Sequence, residues 1–279
     1  MAEVPFFGLK RESDALRSEL MDGISAVLDH GQVLQSQEVA EFESNIARVT
    51  GRKYAVANGS CTDSLFFALL AAGVCKGDEV IVPSFSFIAS ASCVLRAGAN
   101  PIFVDVDSNG NMSAENVSRH ISKKTKAIIY VHMFGLLDEC NFSLIRDIAE
   151  NLRIPVIEDC AQAFGSIGGM SGAPAGSFGT VSCISFDPTK VISALGSGGV
   201  LLTDNEEIAS LSKKLRYHGK GVDGNFETLG YNSQMPAIIA ATLTVKLKYD
   251  HIWRSKRQET AKFYIESFRG LPLKAPEVE

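Results

Sequence analysis

Residues 127–159 open on Ala127-Ile-Ile-Tyr-Val-His132, pass through a helical segment at Ser143–Leu152, and close on Pro155-Val-Ile-Glu-Asp159. The two apolar runs show no polar alternation, so both faces of each strand are expected to be covered. A helix-length insert between two such strands is the crossover that a parallel pair requires. Working outward, the pattern repeats. Strands are predicted at Tyr54–Ala57, Glu79–Val82, Pro101–Val106, Ala127–His132, Pro155–Glu158, Val181–Phe186 and Gly199–Thr203. Helices are predicted between the first five, at Asp63–Gly73, Ile88–Gly98, Ala114–Ser122 and Ser143–Leu152. Ahead of them, Phe7–His30 reads as a loop entering an amphipathic helix, and Val39, Phe42, Ile46 and Val49 mark one face of another. The chain is expected to be an α/β protein, with a mostly parallel mixed sheet and helices on both faces.

The 279 residues are 46% hydrophobic and 21% charged, which leaves ample apolar material for a large core. A formal net charge of −5 argues against nucleic-acid binding, which needs a basic face. The locally basic stretch Lys246–Arg269 reads as the solvated face of a helix. No run approaches the roughly 18 apolar residues of a membrane-spanning helix. The start, Met1-Ala2-Glu3-Val4-Pro5, lacks the basic and apolar regions of a signal peptide. Six scattered cysteines form no CxxC pair, so no metal is expected, and a cytoplasmic location with free thiols is. No GxGxxG follows the first strand, which disfavours nicotinamide binding.

Ligands of such sheets sit beyond the carboxyl ends of the strands, and there polar and aromatic residues gather. Asp159 ends one strand, with Gln162 three residues on. Two readings stay open. Asp159 is either a helix cap or a carboxylate that keeps a pyridine nitrogen protonated, with Gln162 beside the ring's phenolic oxygen, so that the ring serves as an electron sink. Lys190 closes the run Ser185-Phe-Asp-Pro-Thr-Lys190, ahead of Gly196-Ser-Gly-Gly199. A lysine amine is a poor nucleophile at its usual pKa of about 10.4, and a desolvated site frees it to form a Schiff base with an aldehyde. Most lone lysines are surface charges; Lys190 stands out by its company. The turn Gly59-Ser-Cys-Thr62-Asp63-Ser64 reads either as a plain cap or as an anion site on helix N-terminal N–H groups. In Pro83-Ser-Phe85-Ser-Phe87, Phe87 is placed to stack on a flat heterocycle and Phe85 reads as core.

In this order the elements resemble the DegT/StrS family of fold-type I pyridoxal-phosphate (PLP) enzymes. The family's EDxAQ run stands as Glu158-Asp159-Cys160-Ala161-Gln162, and its SFxPxK run as Ser185 to Lys190. Its PSFTF, LRxHG and GYNxRM segments stand at Pro83–Phe87, Leu215–Gly219 and Gly230–Met235. The resemblance runs from about Val4 to the end. It implies that Lys190 forms the Schiff base and moves protons, that Asp159 pairs with the ring nitrogen, and that Gln162 contacts the phenolic oxygen. Phe87 would stack on the ring, and Thr62, Asp63 and Ser185 would hold the phosphate. Asn232 would reach the phosphate in the neighbouring subunit of a homodimer. His132 matches a further family position without an assigned role.

The implied activity is transfer of an amino group from L-glutamate to a nucleotide-linked keto-sugar. The family's sugar dehydratases carry histidine where Lys190 stands. The alternative is a non-catalytic regulatory or binding protein on the same scaffold. Cys61 replaces a common glycine and Gln234 a common arginine. Family members continue past the position of Glu279 into a small C-terminal domain. Residues 1–245 are therefore expected to form the large PLP-binding domain, and 246–279 the start of the small one. A long helix, about Asn232–Arg269, would lead into it and leave an apolar face uncovered.

Overall fold

The computed structural model describes residues 8–273, which hold ten α-helices, one short 3-10 helix and seven strands. The parts of the predictions that concern residues 1–7 and 274–279 lie outside the described residues. The strands are β1 (Tyr54–Asn58), β2 (Glu79–Pro83), β3 (Asn100–Val104), β4 (Thr125–Val131), β5 (Val156–Asp159), β6 (Val181–Ser185) and β7 (Gly199–Thr203). All seven fall where the apolar runs predict them, with ends moved by a residue or two. They form one sheet in the order β1-β7-β6-β5-β4-β2-β3. The pairs β2–β3, β2–β4, β4–β5 and β5–β6 are parallel. Strand β7 runs against both of its neighbours, so β1 and the parallel strands end at one edge and β7 begins there.

The helices are α1 (Leu9–Ala15), α2 (Arg17–His30), α3 (Gln37–Thr50), α4 (Cys61–Ala71), α5 (Ala89–Arg96), α6 (Ala114–His120), α7 (Glu139–Asn151), α8 (Glu206–Arg216), α9 (Ala237–Leu247) and α10 (Asp250–Ser267). Alternate strand residues feed opposite sides of the sheet. Val56, Leu201, Cys183, Ile157, Ile129 and Val131 share a core with α4, α5 and α8. Ala55, Ala57, Leu202, Val200 and Ile184 pack with Phe42 and Ile46 of α3 and Ile239 and Leu243 of α9. Ile128, Tyr130 and Val156 pack under Val117 of α6 and Phe142 and Ile145 of α7. Both faces are covered except at the edge strand β3, where Asn100 and Phe103 are exposed, and so the other strands read as unbroken apolar runs.

Three readings change. The opening segment is helical from Leu9, with a break at Leu16. Helix α8 went unpredicted, although Asn205 caps it by accepting from Glu207 and Ile208 N–H, with acids in its first turn and bases in its last. The long helix after Asn232 is two helices that part at Lys248–Tyr249. Helix α9 is almost wholly buried, Lys246 included, so that lysine is no part of a solvated face. Helix α10 buries only Asp250; Phe263 and Tyr264 on it, and Phe268 just past its end, are exposed.

Candidate active site

Glu158 and Asp159 point to opposite sides of β5 because side chains alternate along a strand. Asp159 reaches the α4/α5 side, where the Ser90 hydroxyl donates to its Oδ2 at 3.1 Å and the Ala161 N–H donates to its Oδ1 at 3.0 Å. It is buried, and burial pushes its carboxyl above the usual carboxylate range against these hydrogen bonds and the nearby Lys190 and His132. A buried carboxylate under this desolvation gains most from a cationic partner.

Asp159 lines a cavity of about 410 Å³ at the carboxyl edge of the sheet, together with Lys190, Gln162, Thr62, Cys61, Ser185 and Phe87. Lys190 lies on the loop that leaves β6, where its N–H donates to the Asp187 carbonyl at 2.9 Å. The Gln162 side-chain oxygen accepts from the Phe134 N–H at 3.0 Å, which leaves its NH2 group free to donate. Phe87 is 70% exposed at the rim. Phe85 is 47% exposed and meets Phe134 edge-on, so it is not the core residue the sequence implies.

Helix α4 presents its N-terminus to the cavity. Ser60 caps it by accepting from the Asp63 N–H at 3.1 Å, and the Ser64 N–H goes to the Ser60 carbonyl. The N–H groups of Cys61 and Thr62 remain for an anion. Only glycine fits at Gly199, where a Cβ would lie 2.3 Å from the Cys61 nitrogen. That bare backbone lets α4 start directly against β7. Asp63 is not part of the cavity lining. Its N–H is the capped one, and its carboxylate pairs with Arg96 and accepts from Ser233 at 2.7 Å. Asn232 is exposed and also lies outside the lining. Gln234 accepts from the Gln35 side chain at 2.7 Å.

The cavity side of β5 thus brings together Lys190, Asp159, Gln162, Thr62, Ser185 and Phe87 of the predicted set, and leaves Asp63 and Asn232 beside it. Sequence reasoning missed Ser90, which lies in no motif, and Ser233, which stands at the variable position of the GYNxRM segment. It also left His132 unassigned. His132 is buried on the α7 side, where it pairs with Glu158 at 3.0 Å and stacks on Phe142. Glu158 also accepts from the N–H groups of Gly176, Phe178 and Gly179 and from the Ser182 hydroxyl. His132, Glu158 and Cys160 bring ligand atoms within 4.8 Å of one another, but protein donors already occupy both Glu158 oxygens.

The donor set fits a phosphorylated pyridine aldehyde. A desolvated carboxylate awaits a cationic ring nitrogen, a free amide an oxyanion, open helix N–H groups a phosphate, and a lysine a carbonyl carbon. Fold and site together define the class of fold-type I aminotransferases. The chain belongs to the DegT/DnrJ/EryC1/StrS aminotransferase family, which it matches over residues 14–279. It is 36% identical over 275 residues to the UDP-N-acetyl-3-dehydro-alpha-D-glucosamine 3-aminotransferase of Acidithiobacillus ferrooxidans, covering 98% of this chain and 73% of that protein. It is equally 36% identical, over 262 residues, to a pleiotropic regulatory protein of Geobacillus stearothermophilus, covering 94% of this chain and 69% of the relative. Among solved structures, S. venezuelae DesV in complex with a ketimine intermediate superposes with a TM-score of 0.94 at 32% identity, over 100% of this chain and 76% of DesV.

Proposed function

We propose that the chain uses PLP to aminate a nucleotide-linked keto-sugar, with L-glutamate as amino donor, as a homodimer in the cytoplasm. The observation that carries this reading is the buried Asp159 carboxylate, pushed up by burial, in one cavity with Lys190 and Gln162. The relatives named as nucleotide-sugar aminotransferases support the substrate class. The six free cysteines fit a reducing compartment.

Bound here, PLP supplies a cationic ring that stabilises negative charge on the carbon next to the reacting nitrogen. Asp159 Oδ would hold the proton on the ring nitrogen, and Ser90 and Ala161 fix the carboxylate's direction. Gln162 donates its amide N–H to the phenolic oxygen. The Cys61 and Thr62 N–H groups and the Ser185 hydroxyl would hold the phosphate, while Phe87 would cover one ring face and exclude water. Lys190 Nζ would hold the cofactor through its carbonyl carbon and would be the group that takes and returns a proton at the substrate carbon. Asp63 would act through the turn rather than on the phosphate, its charge offset by Arg96. Asn232, exposed on its own chain, would serve the partner's site. The proposed domain boundary at residues 245–246 falls near the end of buried α9, a few residues before the exposed α10.

The test is the absorption spectrum after PLP is added and excess removed. The unaltered chain should show a protein-bound band that borohydride abolishes and glutamate shifts, and Lys190→Ala should show none. A band of equal strength in Lys190→Ala would sink the assignment. The regulatory alternative, which the Geobacillus relative's name favours, expects PLP binding without any change on adding glutamate.

A further inference from the structure

Lys246 is fully buried and is not part of the cavity lining. Its Nζ donates to the Ser193 carbonyl at 2.6 Å and lies 2.5 Å from the Glu12 carboxylate on α1. The Ser193 hydroxyl reaches the same carboxylate at 3.3 Å. Ser193 is on the loop that carries Lys190. That loop is folded on itself by the Ala194 N–H to the Phe186 carbonyl, at 2.7 Å, and the Phe186 N–H to the Gly198 carbonyl, at 2.9 Å. Lys246 and Glu12 join it to α9 and α1. Just ahead of α9, Ser233 accepts from the Gly59 N–H through its carbonyl at 2.9 Å and its hydroxyl at 3.1 Å, and donates to Asp63. One buried helix therefore spans from the turn where α4 begins to the loop of the reactive amine.

We propose that Glu12, Lys246 and Ser193 are positioning residues that set the Lys190 amine at a fixed distance from the α4 anion turn, with α9 as the rigid spacer. This rests on the reading of Lys190 as the residue that bonds PLP. A cofactor held at two points, by its phosphate and by a covalent bond, reacts only if the separation matches, and misplacement by an ångström costs up to about a hundredfold in rate. The charges also depend on each other, because a buried ammonium that loses its partner is strongly destabilising while removal of both charges together is often tolerated.

The experiment compares the full chain with Lys246→Met, Glu12→Gln and the double variant, the last chosen to fold where the single ones fail. Two probes are used. PLP bonds to Lys190. Pyridoxamine phosphate shares its ring and phosphate but cannot form that bond. The expected result for the double variant is pyridoxamine phosphate affinity within about threefold of the unaltered chain, with the borohydride-trapped Lys190 adduct forming about tenfold more slowly or worse. Equal loss with both probes would show mere support of the fold and overturn the proposal, as would no loss with either. An unaltered chain that traps no PLP on Lys190 overturns the reading of Lys190 itself, a result distinct from the other two.

Discussion

At Asp159 the requirements of stability and of chemistry conflict. Burial pushes its carboxyl up, so the charged form is held at a cost that a bound cation would relieve. Asp159→Asn should leave the melting temperature of the cofactor-free protein unchanged or raised, and should lower kcat/KM about a hundredfold or more, because an amide cannot hold a ring proton. Calorimetry beside steady-state kinetics tests both halves, and near-normal turnover would refute the assigned role. Glu158, its neighbour, is the opposite case. Burial alone would raise its carboxyl, but the His132 hydrogen bond and charge, with the Gly179 and Gly176 N–H groups, outweigh it and hold it at about 2 against an ordinary 4.5. A depressed acid contributes stability above its unfolded value and loses it as pH falls through the folded one. Roughly 3 kcal/mol should therefore disappear between about pH 4.5 and pH 2, measured by urea unfolding across that window. In Glu158→Gln that slope should flatten. Asp159 was legible from its place at a strand end, whereas the groups that fix Glu158 come from His132 and from residues 176–182 and are brought to it by the fold.

Elements decide how closely the anchors approach. The first residues of α4 abut β7 because Gly199 has no side chain, and a Cβ there would lie 2.3 Å from Cys61 N and Ser60 C. Gly199→Ala should displace the start of α4, cost roughly 1–3 kcal/mol, and weaken pyridoxamine phosphate binding more than it weakens the core. Titration by fluorescence with a parallel melt separates the two, and unchanged affinity would remove the α4 N-terminus from the phosphate site. The strands were readable because burial on two faces leaves an unmistakable apolar run. The division of α9 from α10 was not, since helical spacing continues through Lys248–Tyr249 and only packing distinguishes a buried helix from an exposed one.

At the scale of the molecule, the proposed function assigns Asn232, exposed on its own chain, to the site of a second chain. If sites are shared, Lys190→Ala and Asn232→Ala chains should each be impaired, and mixing them after denaturation should restore activity that neither has alone. The mixed dimer then holds one site with both native residues. Failure to complement, or a monomer by light scattering with full PLP binding, would count against sharing. The amino-acid sequence by itself determined the alternation of apolar strands and helices, the sheet edge where chemistry gathers, and the residue types of the site. Those follow from local periodicity and from chemistry that tolerates few substitutes. Only the tertiary structure decided that Asp159 and Glu158 face opposite environments with opposite shifts, that Ser90 and Ser233 support the site, and that Lys246 is buried against Glu12. These depend on groups far apart in the chain, and the charge of a residue does not reveal what the fold will place beside it.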